Sequence, residues 1–196
     1  MAAHTDSDGL WGRTTAALCG PYLLLFCYYN SMKKHAIFLG GPIGVGKTTL
    51  GQALANRLSG KFIDGDDFSS PDQPWYCSIL RTSRAIVQTG LAMLEDTSTV
   101  VIAYPLGCVT WIYFRRKFGD AGVRSLFVSL RASYSSIIAE GRGRAFSREE
   151  HDRIQVMIAE GYGVRALSDL ILDTDNAGFA ATLERLEAEI QRMVAV

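Results

Sequence analysis

The clearest sign of chemistry in the sequence is a glycine-rich stretch that contains one lysine. The residues GPIGVGKT, from Gly41 to Thr48, match the spacing G-x-x-x-x-G-K-[ST] of a Walker A loop. Glycines let successive backbone N–H groups turn toward one concavity, and a helix beginning near Lys47 directs its positive end there. A polyphosphate is the natural occupant, and Lys47 would reach its outer phosphates. We therefore expect ATP to contact Gly41, Pro42, Ile43, Gly44, Val45, Gly46, Lys47, Thr48 and Thr49.

Acidic residues follow a second apolar run, in KFIDGDDFSS. Ligands of open parallel sheets bind at the carboxyl ends of strands, so these acids are expected to face the phosphate loop. Asp64, together with the Thr48 hydroxyl, is expected to hold Mg²⁺, and Asp66 is placed to accept the proton of an attacking hydroxyl. The alternative is a solvated acidic turn, which Asp-Gly sequences often form.

A third candidate element is the basic stretch EGRGRAFSREE. Gly141 and Gly143 make it flexible, while Arg142 and Arg144 supply cations that could cover and stabilise a transferring phosphoryl group. Ser147 followed by Glu150 is typical of a capping box that opens the next helix. A flexible basic loop on the surface is the alternative.

The elements that must position these residues alternate between strand and helix. Apolar runs predict strands at 36–40, 61–64, 99–104, 124–130 and 169–173, and the segments between them are mostly helical in period. A final helix, at 177–194, carries a packing stripe of Leu183, Leu186, Ile190 and Val194. This order predicts an α/β fold, with a parallel sheet that is covered by helices on both faces.

The first 31 residues differ from the rest. The run TTAALCGPYLLLFCYYNSM is uncharged and superficially resembles a membrane anchor or signal segment. It is short for a span, is interrupted by Gly20–Pro21 and lacks a basic stretch before it. We expect residues 1–31 to be an extension outside the fold, either an upstream start or a weak anchor, and residues 32–196 to be one domain.

The composition favours a small-molecule ligand. Twenty Lys plus Arg balance twenty Asp plus Glu in 196 residues, which gives no reason to expect a nucleic-acid or membrane-surface partner. We expect a cytoplasmic monomer or weak homodimer. The four cysteines are scattered and are expected to be reduced, mostly packing thiols: Cys19, Cys27, Cys77 and Cys108. The three histidines are expected to be surface or packing residues: His4, His35 and His151.

Taken in order, four segments resemble the shikimate kinase family: GPIGVGKTTLGQALANRL, FIDGDDF, RGRAF and DLILDTDNAG. The DGDD piece also looks like the related gluconate kinases. The resemblance covers residues 32–196 and implies a P-loop fold of the nucleoside-monophosphate-kinase type, with a five-stranded parallel sheet and a lid. It also implies ATP-dependent phosphorylation of a hydroxyl on a small metabolite, a shikimate-like cyclic polyol or a sugar acid.

The resemblance implies roles for individual residues. Asp64 would hold magnesium through water, and Asp66 would contact the acceptor hydroxyl. The loop DTDNAG would border adenine, which adds Asp175 and Asn176 to the nucleotide contacts. An arginine on the helix after the second strand would grip the acceptor's carboxylate, and Arg81 or Arg84 is the match.

The sequence departs from the family where the acceptor should bind. The family has a triple-glycine turn after the third strand, where this chain reads AYPLGCVTW with Gly107 alone. An acceptor-binding arginine of the family falls on Glu160, with Arg165 nearby. Trp75 and Tyr76 could line a pocket for a ring or could belong to the core. Two acceptor contacts are therefore missing, whereas the nucleotide contacts are complete.

Two other functions are compatible with a phosphate loop. A switch or motor ATPase usually ends its third strand in an acid that holds magnesium, and TVVIAY has none. An inactive relative that binds nucleotide and regulates another protein is the second alternative. The sequence favours the small-molecule kinase.

Overall fold

Five parallel strands form a single sheet in the order β2-β3-β1-β4-β5. The computed structural model describes residues 33–69, 75–139, 143–175 and 177–195. The strands are β1 (His35–Gly40), β2 (Lys61–Asp64), β3 (Thr99–Ala103), β4 (Arg124–Arg131) and β5 (Leu170–Asp173). Each predicted strand is confirmed, with ends that differ by one residue at most.

Helices cover both faces of the sheet. They are α1 (Lys47–Arg57), α2 (Trp75–Met93), α3 (Cys108–Asp120), α4 (Tyr134–Ile137), α5 (Arg148–Ala159) and α6 (Phe179–Val194), and a 3-10 helix (Gly65–Phe68) follows β2. The last helix begins two residues later than predicted, since Gly178 adopts an extended conformation and caps it. The predicted stripe on α6 is buried at Leu183, Leu186 and Ile190.

Because successive side chains of a strand point to opposite faces, the sheet separates two apolar clusters. In β1, Ile37 and Leu39 pack beneath α1 and α6, while Phe38 belongs to the other cluster. The ring of Phe38 stacks on Phe114 and on Phe127, with ring centroids 4.9 Å apart in each pair. All six residues of β1 are buried, which explains why this strand lacks the polar alternation of a half-exposed one.

Several expectations concern residues beyond the described ranges. Residues 1–31 lie there, so the extension outside the fold and the domain start at Met32 stay predictions. Among the helices that are described, none combines the length and apolarity needed to cross a membrane. Cys108 is a free thiol, as expected, but it is exposed at the start of α3 and does not pack in the core.

Two helical glycines give a matched test of the packing. A Cβ on Gly51 in α1 would lie 2.6 Å from Phe62 Cε2, whereas a Cβ on Gly119 in α3 would meet nothing within 4 Å. We expect Gly51→Ala to lower the free energy of unfolding by about 1–2 kcal/mol through overpacking. Gly119→Ala should raise it by about 0.5–1 kcal/mol, because alanine restricts the unfolded chain. Urea denaturation measures both, and equal effects would contradict the close contact between α1 and β2.

Candidate functional site

The phosphate loop joins the carboxyl end of β1 to α1. Its three glycines have positive φ angles, 144° at Gly41, 75° at Gly44 and 103° at Gly46, which residues with a side chain rarely adopt. A Cβ on Gly41 would also lie 2.6 Å from the carbonyl oxygen of Leu130. The glycines therefore serve both the tight turn and the close approach to β4, and the predicted order of strand, loop and helix is confirmed.

Lys47 makes hydrogen bonds to the backbone of its own loop. Its Nζ donates hydrogen bonds to the carbonyl oxygens of Pro42, at 2.9 Å, and Gly41, at 3.2 Å. Burial lowers the pKa of the ammonium group to about 8, although the charges of Asp66 and Asp64 raise it in part. The phosphate loop thus holds a desolvated cation, which favours an anionic ligand at this position.

The acids after β2 meet α1 at the same edge of the sheet. Thr48 Oγ1 donates to Asp64 Oδ2 at 2.8 Å, and the backbone N–H of Asp66 donates to Asp64 Oδ1 at 3.1 Å. Burial raises the pKa of the Asp66 carboxyl, as does the neighbouring charge of Asp64, while Lys47 lowers it. The expected metal-binding oxygens and the expected base are therefore neighbours.

Arg144 lies close enough to this group for its charge to affect the pKa of Lys47 and of Asp66. Its Nη2 donates to Glu150 Oε1 at 2.6 Å. The predicted capping box is present, since Ser147 accepts from the N–H of Glu150 and Glu150 accepts from the N–H of Ser147. Arg142, the other predicted cation, lies outside the described ranges.

A cleft of about 280 Å³ opens beside the phosphate loop. It is lined by Pro42, Arg131, Ala132, Ser133, Ile158, Gly163, Val164 and Asp175. Asp175 accepts the Ser133 N–H through both carboxylate oxygens at 2.9 Å. These hydrogen bonds join the loop after β5 to the loop after β4. Pro42 and Asp175, both predicted nucleotide contacts, line the same cleft. Asn176 is not among the described residues.

Most of the wall opposite Pro42 was missed by the sequence reasoning. Arg131 pairs with Asp173 at 2.7 Å, and Gly163 lies against Leu130 and Arg131. Asp173 opens the predicted loop DTDNAG, but Arg131 and Gly163 belong to no motif. Arg131 meets Asp173 because β4 and β5 are adjacent in the sheet. The sequence offered no signal that could have found them.

Tyr104 follows β3 directly and was not singled out from the sequence. Its ring covers Gly65, where a Cβ would lie 2.3 Å from Tyr104 Cδ2. Burial raises the pKa of its hydroxyl, and the charges of Asp66 and Tyr162 raise it further. Tyr104 thus stands directly after β3, where the shikimate kinase family has a triple-glycine turn.

The predicted acceptor arginines and their neighbours lie on several different elements. Arg81 and Arg84 are both exposed on α2. The guanidinium carbon of Arg165 lies 4.1 Å from the ring centroid of Tyr162. Its Nε is buried and has no hydrogen-bond partner among the residues that the structure describes. Glu160, at the position of the family's arginine, pairs with Arg153 at 3.9 Å. The side chains of Trp75 and Tyr76 are outside the described part.

Comparison with known proteins identifies relatives of this arrangement. No family model matches the sequence. A curated protein named shikimate kinase, from Chlorobaculum tepidum, is 29% identical over 187 residues, which cover 83% of this chain and 94% of that protein. The chain is thus similar in sequence to shikimate kinases. The motifs in the sequence, from the phosphate loop to DTDNAG, predict this relationship, and it is confirmed.

Solved structures show the same fold. A gluconokinase from Sinorhizobium meliloti has a TM-score of 0.58 at 19% identity, with 81% of this chain and 97% of that chain covered. A sugar kinase from a Janibacter species has a TM-score of 0.60 at 17% identity, with 81% and 95% covered. The predicted P-loop kinase fold with five parallel strands is therefore confirmed.

The low pKa of Lys47 gives a test of the phosphate loop. At pH 8 part of the ligand-free protein carries a neutral amine, because burial lowers this pKa to about 8. A bound polyphosphate favours the ammonium form, so binding of MgATP at this pH should take up a proton. At about pH 6.5 the amine is already protonated and uptake should be close to zero. Calorimetry in two buffers of different ionisation enthalpy counts the protons.

Lys47→Arg is the control for this measurement, because a guanidinium stays charged and cannot take up a proton. The assignment is wrong if uptake at pH 8 persists in that variant, or if the unsubstituted protein binds MgATP without uptake.

Proposed function

We propose that the protein is an ATP-dependent kinase that transfers the γ-phosphoryl group to a hydroxyl of a small metabolite. The observation that carries this proposal is the meeting of Lys47, the Thr48–Asp64 hydrogen bond and Asp66 at one edge of the sheet. The prediction of a small-molecule kinase made from the sequence agrees with the relatives, which include a curated shikimate kinase. The proposed kinase domain is residues 32–196, acting in the cytoplasm, where ATP is available.

ATP would bind with its phosphates in the loop and its base in the adjoining cleft. The nine residues from Gly41 to Thr49 surround the proposed phosphate site, and Lys47 provides its fixed cation. The cleft beside Pro42 has a volume of about 280 Å³ and leads directly from this loop. Its wall includes Asp175, and we assign Asn176 to the same nucleotide contacts.

The oxygen atoms of Thr48 and Asp64 suit Mg²⁺, which prefers oxygen ligands and is usually held by one or two carboxylates together with substrate phosphates. These atoms are 2.8 Å apart, close enough to serve one ion directly or through water. Within the described ranges, no group of three or more His, Cys, Asp or Glu side chains could hold a metal by itself. The ion would therefore depend on the nucleotide phosphates, whose negative charge it would neutralise.

Asp66 would act as the base. The raised pKa of its carboxyl makes it a better proton acceptor than a fully exposed aspartate. The acceptor hydroxyl would attack the γ-phosphorus in line, the bond from that phosphorus to the bridging oxygen would break, and the hydroxyl proton would pass to Asp66. Lys47 and Arg144 would stabilise the charge on the transferring group, and we assign Arg142 the same role from the sequence.

The acceptor would be a hydroxylated small molecule, such as a cyclic polyol or a sugar acid. Tyr104 lies beside the proposed base, since the charge of Asp66 contributes to its raised pKa. Its hydroxyl can both donate and accept hydrogen bonds, as can the hydroxyls of such an acceptor. Arg81 and Arg84 are the side chains that we assign to an acceptor carboxylate. No observation favours the alternative of a nucleotide-binding regulator or ATPase switch without kinase activity.

Measurement of ADP release across a panel of acceptors tests the function. Cyclic polyols, sugar acids and aminoglycosides would be added one at a time to the protein with ATP and magnesium. At least one class should stimulate ADP release well above the rate with ATP alone, because a kinase needs its acceptor to complete transfer. Tight ATP binding without stimulation by any class would instead support the nucleotide-binding regulator.

Asp66→Asn tests the assignment of the base. The amide keeps the size of the side chain but cannot accept the proton, so we expect turnover to fall by about 10²–10⁴-fold. ATP affinity should stay within about threefold, because Lys47 and the loop amides carry phosphate binding. Asp67→Asn is the matched control, since it changes the adjacent acid and should retain most activity. Full transfer by Asp66→Asn would show that another group takes the proton.

A further inference from the structure

The ring of Phe146 connects the phosphate loop to Arg144. A Cβ on Gly44 would lie 2.6 Å from Phe146 Cζ and 3.0 Å from Cε1, so the edge of the ring rests against the loop backbone. The guanidinium carbon of Arg144 lies over the same ring, 4.9 Å from its centroid. One side chain therefore contacts both the loop that we expect to bind phosphate and the cation that we expect to act on it.

Gly44 makes the contact possible. Its φ of 75° is unfavourable for residues with a side chain, and any Cβ would also lie 2.8 Å from Ile137 Cγ2. A side chain at this position would displace the Phe146 ring and, with it, the guanidinium. The requirement for glycine at position 44 is thus explained by Phe146 as well as by the loop conformation.

The ring is held by the body of the protein as well as by Arg144. Phe146 packs against the apolar cluster between the sheet and α1. The His151 ring meets it at 65°, with centroids 5.8 Å apart. His151 Nδ1 is in turn 2.8 Å from the Tyr134 hydroxyl. The ring of Phe146 is therefore held by the apolar cluster and by His151 of α5, which Tyr134 of α4 positions in turn, so it can serve as a fixed surface for the guanidinium.

A hydrogen bond to Glu150 also restrains Arg144 but leaves other N–H donors of its guanidinium available. Its hydrogen bond to Glu150 uses Nη2, and a guanidinium has five N–H donors in a planar fork. Glu150 is itself fixed, since its other oxygen accepts the N–H of Ser147 at 2.9 Å. Cation–π contact with Phe146 and the bond to Glu150 together define where the remaining N–H groups point.

We propose that Phe146 is a positioning residue, which rests on the loop at Gly44 and holds the Arg144 guanidinium beside the phosphate site. This inference depends on the proposed function, in that Arg144 must act on the terminal phosphate of a bound nucleotide. It adds that Phe146, which contacts both the phosphate loop and the guanidinium, determines the position of Arg144.

Nucleotide affinities test the inference without knowledge of the acceptor. MgATP and MgADP binding would be measured by calorimetry for the unsubstituted protein, Phe146→Leu, Arg144→Ala and the double variant. Each single change should weaken MgATP binding by about tenfold, because one charge-assisted contact with the terminal phosphate is lost or misplaced. MgADP lacks that phosphate, so its affinity should stay within about twofold. In the double variant, MgATP affinity should match that of Arg144→Ala, because Phe146 acts through Arg144.

Phe62→Leu is the matched control. Phe62 is a half-buried ring of the same apolar cluster and also packs against a glycine, Gly51. Among the described residues it makes no cation–π contact. This variant should keep the ratio of ATP to ADP affinity, and thermal melting would show that all variants fold.

Three results would overturn the inference. They are equal losses of ATP and ADP affinity in Phe146→Leu, additive losses in the double variant, and the same change of ratio in Phe62→Leu. Failure of the proposed function gives a different pattern: the ATP-to-ADP ratio depends on Phe146, yet no acceptor stimulates ADP release. An unsubstituted protein that does not bind MgATP would contradict both.

Discussion

The whole candidate site depends on Lys47, whose ammonium group makes hydrogen bonds to the backbone of the phosphate loop. Lys47 Nζ binds the carbonyl oxygens of Gly41 and Pro42, which keeps two groups that would repel an anion turned toward the ammonium. The cost is desolvation of the ammonium, seen in the lowered pKa of Lys47. A phosphate group would reverse that cost by supplying the missing negative charge. The loop is therefore preorganised for an anion, and without one the Lys47 ammonium is poorly solvated.

The sheet brings the acid of β2 to this loop although β2 and β1 are not neighbours. In the register of the sheet, Asp64 pairs with Ala103 and Ala103 pairs with Leu39, so the acid lies level with the end of β1. Helix α1 crosses over this edge, and Thr48 in its first turn reaches the Asp64 carboxylate. The contact between a hydroxyl and an acid 16 residues apart thus depends on the strand that separates them.

The site divides into a part that the family resemblance describes and a part that is specific to this chain. The phosphate loop and the acids after β2 follow the shikimate kinase pattern. At the end of β3, where the family has glycines, Tyr104 covers Gly65, and the nearby charge of Asp66 contributes to its raised pKa. Tyr162 and Arg165 stack together near the position of the family's arginine. The proposed nucleotide contacts follow the family's pattern and the proposed acceptor contacts do not, so we expect this protein to differ from its relatives in its acceptor.

The sequence by itself determined the loop, the order of strands and helices, and the identity of the acids. These follow from local rules: glycine is needed for positive φ, apolar runs form buried strands, and Ser147 with Glu150 caps a helix. Tertiary structure alone decided that Phe146 rests on Gly44, that Tyr104 lies beside Asp66, and that Arg131 and Asp175 share a cleft. Such contacts join residues far apart in sequence. They depend on strand order and on how side chains pack, which no spacing along the chain encodes.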